Sequence, residues 1–139
     1  MRIAFVTPEL QPLVRRTNLA EIAAALPKTL VAQNQKVLVF LPHTVDVDPH
    51  DIDNLKEVGK VDVGTLSETP FTVSTGVFRT IPIALFHHPQ LLKGRNPDGT
   101  ENGPYPDNWR RYAAFASAVL ASFKLLNFKP AIIHCLDWT

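Results

Sequence analysis

A chain of 139 residues fits one ordinary domain, long enough to bury a single core. Apolar residues make up 45%, charged residues 19%, and the net charge is +1; this describes an ordinary soluble globular protein and excludes the basic footprint of a nucleic-acid binder. The single Cys135 cannot form an internal disulfide, so a reducing cytoplasm is the expected compartment.

In chain order, Arg2–Thr7 is a short apolar run closed by Thr7-Pro8 and reads as a buried strand opening into a loop. The run is too short for a signal-peptide core or a membrane span. Leu19, Ile22, Ala23, Leu26, Leu30 and Val31 recur at helical spacing. Asn18 and Glu21 form a candidate capping box, and Pro27 should bend this helix or end its first part. Lys36–Pro42 is a second apolar run, so strand, helix and strand make a βαβ unit with a parallel sheet.

Thr44–Asn54 is polar and reads as loop. Leu55–Val63, Phe71–Ser74, Gly76–Phe78 and Pro82–His87 read as short strands. Gln90–Pro106 is rich in Gly and Pro; a loop that long is more often functional than idle. Residues 108–126 form a long amphipathic helix with Asp107 as its expected N-cap. Ala131–Leu136 is a last buried strand, with Cys135 a buried small hydrophobe. The expectation is a single Rossmann-like α/β domain over 1–139. Its sheet is mainly parallel with helices on both faces, and the middle strands are candidates for an edge hairpin.

Such a sheet delivers its functional residues at the carboxyl ends of its strands. His134, Asp137 and Trp138 sit at one such end with nothing after them to cover it, as if the chain were cut at its own active edge.

Four segments carry a family resemblance. They are Met1-Arg2-Ile3-Ala4-Phe5-Val6-Thr7-Pro8-Glu9; Leu19-Ala20-Glu21-Ile22 through Ala25-Leu26-Pro27-Lys28; Tyr105-Pro106-Asp107-Asn108 with Arg111-Tyr112; and Pro130-Ala131-Ile132-Ile133-His134-Cys135-Leu136-Asp137-Trp138. In this order they resemble the catalytic domain of the glycogen and starch synthases, a family of GT-B glucosyltransferases. The resemblance implies two Rossmann-like halves with the active cleft between them, of which this chain is the N-terminal, acceptor-side half. The C-terminal donor-binding domain is absent. It also implies transfer of glucose from a nucleoside-diphosphate glucose, ADP-glucose or UDP-glucose, to an α-1,4-glucan, with no metal and no organic cofactor. Carried onto this chain, it makes Glu9, His134 and Asp137 the candidate catalytic residues. Arg15, Arg16, Tyr105, Asn108 and Trp138 become the candidate substrate-binding residues.

Two departures stand out. Where the family reads Lys-Thr-Gly-Gly-Leu, this chain has Arg15-Arg16-Thr17-Asn18-Leu19, so both glycines that would let backbone N–H groups approach a phosphate are replaced. The family's second histidine is Leu136, which can neither bond a hydroxyl nor polarise a reacting centre. These losses imply that the chain alone is inactive.

Other readings stay beside these. Glu9 is equally a solvated loop carboxylate, Glu21 a capping residue, and His134 a core histidine. His87-His88 is a weak metal candidate, because adjacent strand residues point to opposite faces. No Gly-x-Ser-x-Gly or Gly-x-Gly-x-x-Gly supports a hydrolase or dehydrogenase. The alternative function is a free-standing, degenerate half-domain that binds glucan or another protein. Its partner is the missing domain, another chain or a second copy in a homodimer; no nucleic acid or membrane partner is expected.

Overall fold

The computed structural model describes residues 1–137. One six-stranded sheet forms its centre, built from β1 (Arg2–Val6), β2 (Lys36–Pro42), β3 (Asp53–Val61), β4 (Phe71–Phe78), β5 (Ile81–His87) and β8 (Ile132–Cys135). A two-stranded ribbon, β6 (Gly99–Thr100) with β7 (Gly103–Pro104), stands apart from it. The order across the sheet is β3-β4-β5-β2-β1-β8. β8, β1, β2 and β5 run parallel, while β4 and β3 fold back antiparallel beside β5. The expected parallel sheet is therefore present, and the middle strands add an antiparallel meander at one edge.

Strand side chains alternate between faces, and two cores result. Ile3, Phe5, Val37, Val39, Leu41, Ile81, Ile83 and Leu85 point to one face, where α1 (Leu19–Ala32) contributes Ala23, Ala24, Leu26, Leu30 and Val31. Ala4, Phe40, Ala84 and Phe86 point to the other, where α2 (Asn108–Leu125) contributes Tyr112, Ala114, Phe115, Ala118 and Val119. Both helices end on an asparagine in the left-handed region, Asn34 and Asn127, where a short polar side chain replaces the usual glycine. In β4, a Cβ on Gly76 would lie 2.6 Å from the Ile52 side chain and 3.0 Å from the Asp53 carbonyl, so only glycine lets this strand pass so close. Phe71–Phe78 is one continuous strand and not two.

Several local expectations are corrected. α1 continues through Pro27, which is buried within it. Asn18 is already helical and makes no side-chain cap, and Glu21 pairs instead with Arg15 at 3.1 Å. The hydroxyl of Thr17 takes the cap, accepting from the N–H of Leu19. Asp107 precedes α2 without a side-chain cap, because both its oxygens are held by Arg95. In the 44–54 loop a 3-10 turn (Pro49–Asp51) forms and β3 begins at Asp53. The last strand, expected to be buried, is the sheet's edge: Ile132 and Ile133 are 43% and 45% exposed, and Cys135 is exposed. Apolar composition marks a strand, but only the strand order decides whether anything lies beyond it.

Candidate functional site

The carboxyl ends of β1, β2, β5 and β8 lie along one edge of the sheet, and the loops that leave them carry nearly every polar group of interest. Glu9, in the loop after β1, is buried. Its Oε2 accepts from the backbone N–H groups of Arg16 and Thr17, both at 2.9 Å, and Oε1 accepts from the Thr17 hydroxyl at 3.2 Å. The carboxylate is therefore not solvated; it closes the 9–17 loop on itself. An anion held by successive N–H groups just before a helix is the arrangement that elsewhere binds phosphate. Here the protein's own carboxylate fills it.

Arg16 reaches away from this loop. Its guanidinium forks onto Asp46 at 2.7 and 2.9 Å and donates to the Asn96 side-chain oxygen at 2.7 Å. That bond ties the first loop to the 90–106 segment. Arg16, Thr17, Asn96, Asp98 and Glu101 with the β6–β7 ribbon line a polar groove of about 610 Å³. Arg15 pairs on the exposed helix surface with Glu21 and does not line the groove.

The 90–106 segment is ordered from beneath by Arg111, a residue whose role the sequence reading did not single out. Its guanidinium is fully buried. It donates to the carbonyls of Leu91 (2.7 Å), Pro97 (2.9 Å) and Asn96 (2.9 Å) and to the Asn108 side-chain oxygen (2.7 Å). Tyr105 lies between two guanidinium groups, with Arg95 at 4.2 Å and Arg111 at 4.8 Å from its ring centre. Its hydroxyl accepts from the Asn96 N–H. Asn108 donates to the Asp98 carbonyl at 2.6 Å. Tyr105 and Asn108 thus shape the groove wall from behind. The one signal available was the Arg111-Tyr112 pair on the apolar stripe of a helix, a position where charge demands a reason.

Electrostatics follow burial. Burial pushes the Tyr112 phenol up to about 12, Arg111 acting against it and Asp98, Asp137 and Glu9 with it. Three carboxylates from three loops therefore act on this one point. Tyr112 donates to the Pro97 carbonyl, a further tie on the same segment. Desolvation lowers Arg111, whereas the hydrogen bond with Asp107 raises Arg95 and lowers Asp107.

Of the β8 candidates, the His134 ring stacks on Phe5 with centroids 4.8 Å apart, half-buried across the register pair Phe5 and His134. Asp137 follows with a positive φ of 72°. Trp138 lies outside the described residues. The structure therefore joins Glu9, Arg16, Tyr105 and Asn108 in one connected network and leaves Arg15 and His134 outside it.

His87 and His88 point apart. His88 is buried, and its Nδ1 accepts from the N–H groups of Gln90 and Leu91, so the ring proton sits on Nε2. That nitrogen lies 2.7 Å from the Ser67 hydroxyl and 3.1 Å from the Thr69 carbonyl. A histidine whose facing nitrogen already carries the proton cannot take one from Ser67, so this serine–histidine pair is a loop clasp and not a nucleophile with its base. Among the described residues no group of three or more His, Cys, Asp or Glu is placed to hold a metal.

The match to known proteins is end to end. The family model for the starch synthase catalytic domain covers residues 2–139. The chain belongs to that family. It is 36% identical to a glycogen synthase of Geotalea uraniireducens and 31% identical to glycogen synthase 2 of Geobacter sulfurreducens, with 99% of this chain matched in both. It spans 29% of the length of either relative. The catalytic domain of starch synthase IV from Arabidopsis thaliana, bound to ADP and acarbose, has the same fold, with a TM-score of 0.79 at 21% identity. That match covers 99% of this chain and 28% of the other. The single Rossmann-like α/β domain expected from the sequence is the fold observed, it matches part of the starch synthase catalytic domain, and the chain corresponds to part of a glycogen or starch synthase. No described helix is long and apolar enough to cross a membrane.

Proposed function

We propose that this chain is the acceptor-side, N-terminal half of a cytoplasmic glucosyltransferase cleft, holding an α-1,4-glucan while a donor-binding domain supplies nucleoside-diphosphate glucose. The observation that carries the reading is the polar groove at the carboxyl edge, walled by Arg16, Asn96, Asp98 and the ribbon, in a chain that matches the synthase family over residues 2–139. Arg16 and the side-chain amide of Asn96 offer donors and acceptors that suit sugar hydroxyls, with Thr17 and Glu101 beside them. On this reading Glu9 acts by shaping the loop, and His134 and Asp137 face the side on which the second half docks. The chain alone does not turn over.

A second reading, a glucan-binding half-domain without chemistry, is favoured by the Glu9 carboxylate. It occupies the backbone N–H groups of Arg16 and Thr17 beside the two positions where glycine is replaced. Titration calorimetry with a maltooligosaccharide and with ADP-glucose tests both readings. Glucan binding without donor binding supports the acceptor-side role. Glucose transfer by the chain alone, or a chain indifferent to glucan, overturns it. The mass of the native species separates the two readings: a far larger protein favours the synthase half, and 15.5 kDa the free-standing module.

A further inference from the structure

At the ends of β2 and β5, beside the groove but distinct from it, a second cavity of about 260 Å³ is lined by His43, Thr44, Val47, His87, Lys93 and Gly94, with Val45 at its rim. The His43 ring is hydrogen-bonded to the Val47 backbone, and the other polar groups are unengaged. The His87 imidazole and the Lys93 ammonium have no hydrogen-bond or ion-pair partner among the described residues. Thr44 is 2% exposed, yet its hydroxyl oxygen also has none. A buried hydroxyl without a partner is uncommon and asks for a ligand or an ordered water.

The ionisable side chains that line the cavity are all bases. His43 and His87 face each other edge to face, with centroids 5.4 Å apart. Burial lowers both; His87 lowers His43 further and Lys93 lowers His87, while the Val47 backbone raises His43 slightly. No carboxylate offsets them. Asp46, on the same loop, is held by Arg16, and Asp48 accepts from the N–H of His50. His88 turns its ring to Ser67 on the far side of the strand, and Arg110 donates to the Leu66 carbonyl. Gly94 has a φ of 68° and open space where a Cβ would stand, so the backbone at the cavity mouth is unobstructed.

We propose that this cavity is a binding site for a phosphate oxyanion, held by His43, His87, Lys93 and the Thr44 hydroxyl. Two imidazoles and an ammonium supply donors that become charge-assisted when the rings are protonated. The bound anion raises both imidazole pKa values, so binding draws protons onto the rings, while the anion's own protonation, with a second pKa of about 6, works against it as pH falls. Carbonyl-only ligands or cations gain nothing from such a lining. The phosphate comes either free or as the monoester of a sugar, and the same four groups would hold either.

The test is titration of the chain with inorganic phosphate and, separately, with glucose 1-phosphate, at constant ionic strength. The imidazole resonances are followed by NMR at pH 5.5 and pH 8. Expected are shifts of the His43 and His87 signals toward their protonated positions on binding, and loss of binding in Lys93→Ala and in His87→Gln. A glucose 1-phosphate affinity well above that of phosphate assigns the site to a sugar phosphate; equal affinities assign it to the free ion. Both outcomes support the site. Absence of shifts at either pH, or unchanged affinity in both variants with their folded spectra intact, overturns it.

Discussion

Beneath the 90–106 segment the Arg111 guanidinium is buried completely, while in β8 two isoleucines stand nearly half exposed. Polarity is inverted in both places, and the two cases differ in how they are resolved. Arg111 is tolerable inside because four oxygens meet its donors and two tyrosine rings cover its faces. Ile132 and Ile133 have no such internal answer. A buried charge that is fully bonded is finished within the domain; an exposed apolar strand edge is finished only by something that docks on it. The groove wall is thus self-sufficient, whereas nothing among the described residues covers Ile132 and Ile133.

The largest test of that contrast is Arg111→Ala, which strips four oxygens of their donor. A stability loss of about 3–5 kcal/mol is expected in urea denaturation, together with rapid proteolysis between 90 and 107. A loss below about 1 kcal/mol would mean that the segment is held by other contacts. Arg111→Lys should recover little, since an ammonium cannot reproduce the fork.

Next in size is Glu9→Ala, which leaves the Arg16 and Thr17 N–H groups without an acceptor. About 1–3 kcal/mol should be lost. If the carboxylate is what blocks a phosphate from this loop, the variant should also gain weak pyrophosphate binding, read by calorimetry. Unchanged stability would show that the loop holds its shape without Glu9.

A smaller effect is expected at Asp107. Arg95 holds its carboxyl below the usual range, so the pair's contribution is present above the unfolded carboxylate pKa and is lost as pH falls through the lower folded value. Asp107 is 40% exposed, so solvent screens the pair and the contribution is about 1 kcal/mol at most. Wild type and Asp107→Asn should therefore differ slightly at pH 7 and converge in acid. A gap that persists at pH 2 would contradict this cause.

The smallest change in stability belongs to Ile133→Lys, within about 0.5 kcal/mol, because nearly half of the residue is already in water. If β8 is a docking edge, the same variant should abolish any self-association or domain pairing seen by sedimentation. A stability loss above about 2 kcal/mol would instead mark Ile133 as a core residue.

Much of this was legible in the sequence. The runs at Ile3–Val6 and Val37–Leu41 are apolar on both faces, which only a parallel sheet covered on both sides requires, and the stripes of both helices supplied the covers. Strand order was not legible: the residues of β8 read like those of β1, and nothing local says that one is central and the other an edge. Capping was misread at Asn18 and Asp107 for one reason. A short polar residue before a helix suits a cap, but at Asp107 a distant partner, Arg95, offered a stronger bond, and at Asn18 the neighbouring Thr17 supplied the oxygen. Glu9, Arg16, Tyr105 and Asn108 were named through family resemblance, whereas Arg111 and the cavity between His43 and His87 needed the fold. Their parts lie up to 50 residues apart along the chain, from His43 to Lys93, and no spacing rule joins them.

Cys135 is the chain's single cysteine, and it is exposed on β8. These 139 residues, prepared as they stand, are for that reason their own reporter. A maleimide fluorophore attaches at one position, on the strand whose flank awaits cover, and no engineered thiol or cysteine deletion is needed. Its emission and anisotropy would register the arrival of a second domain or a second copy directly.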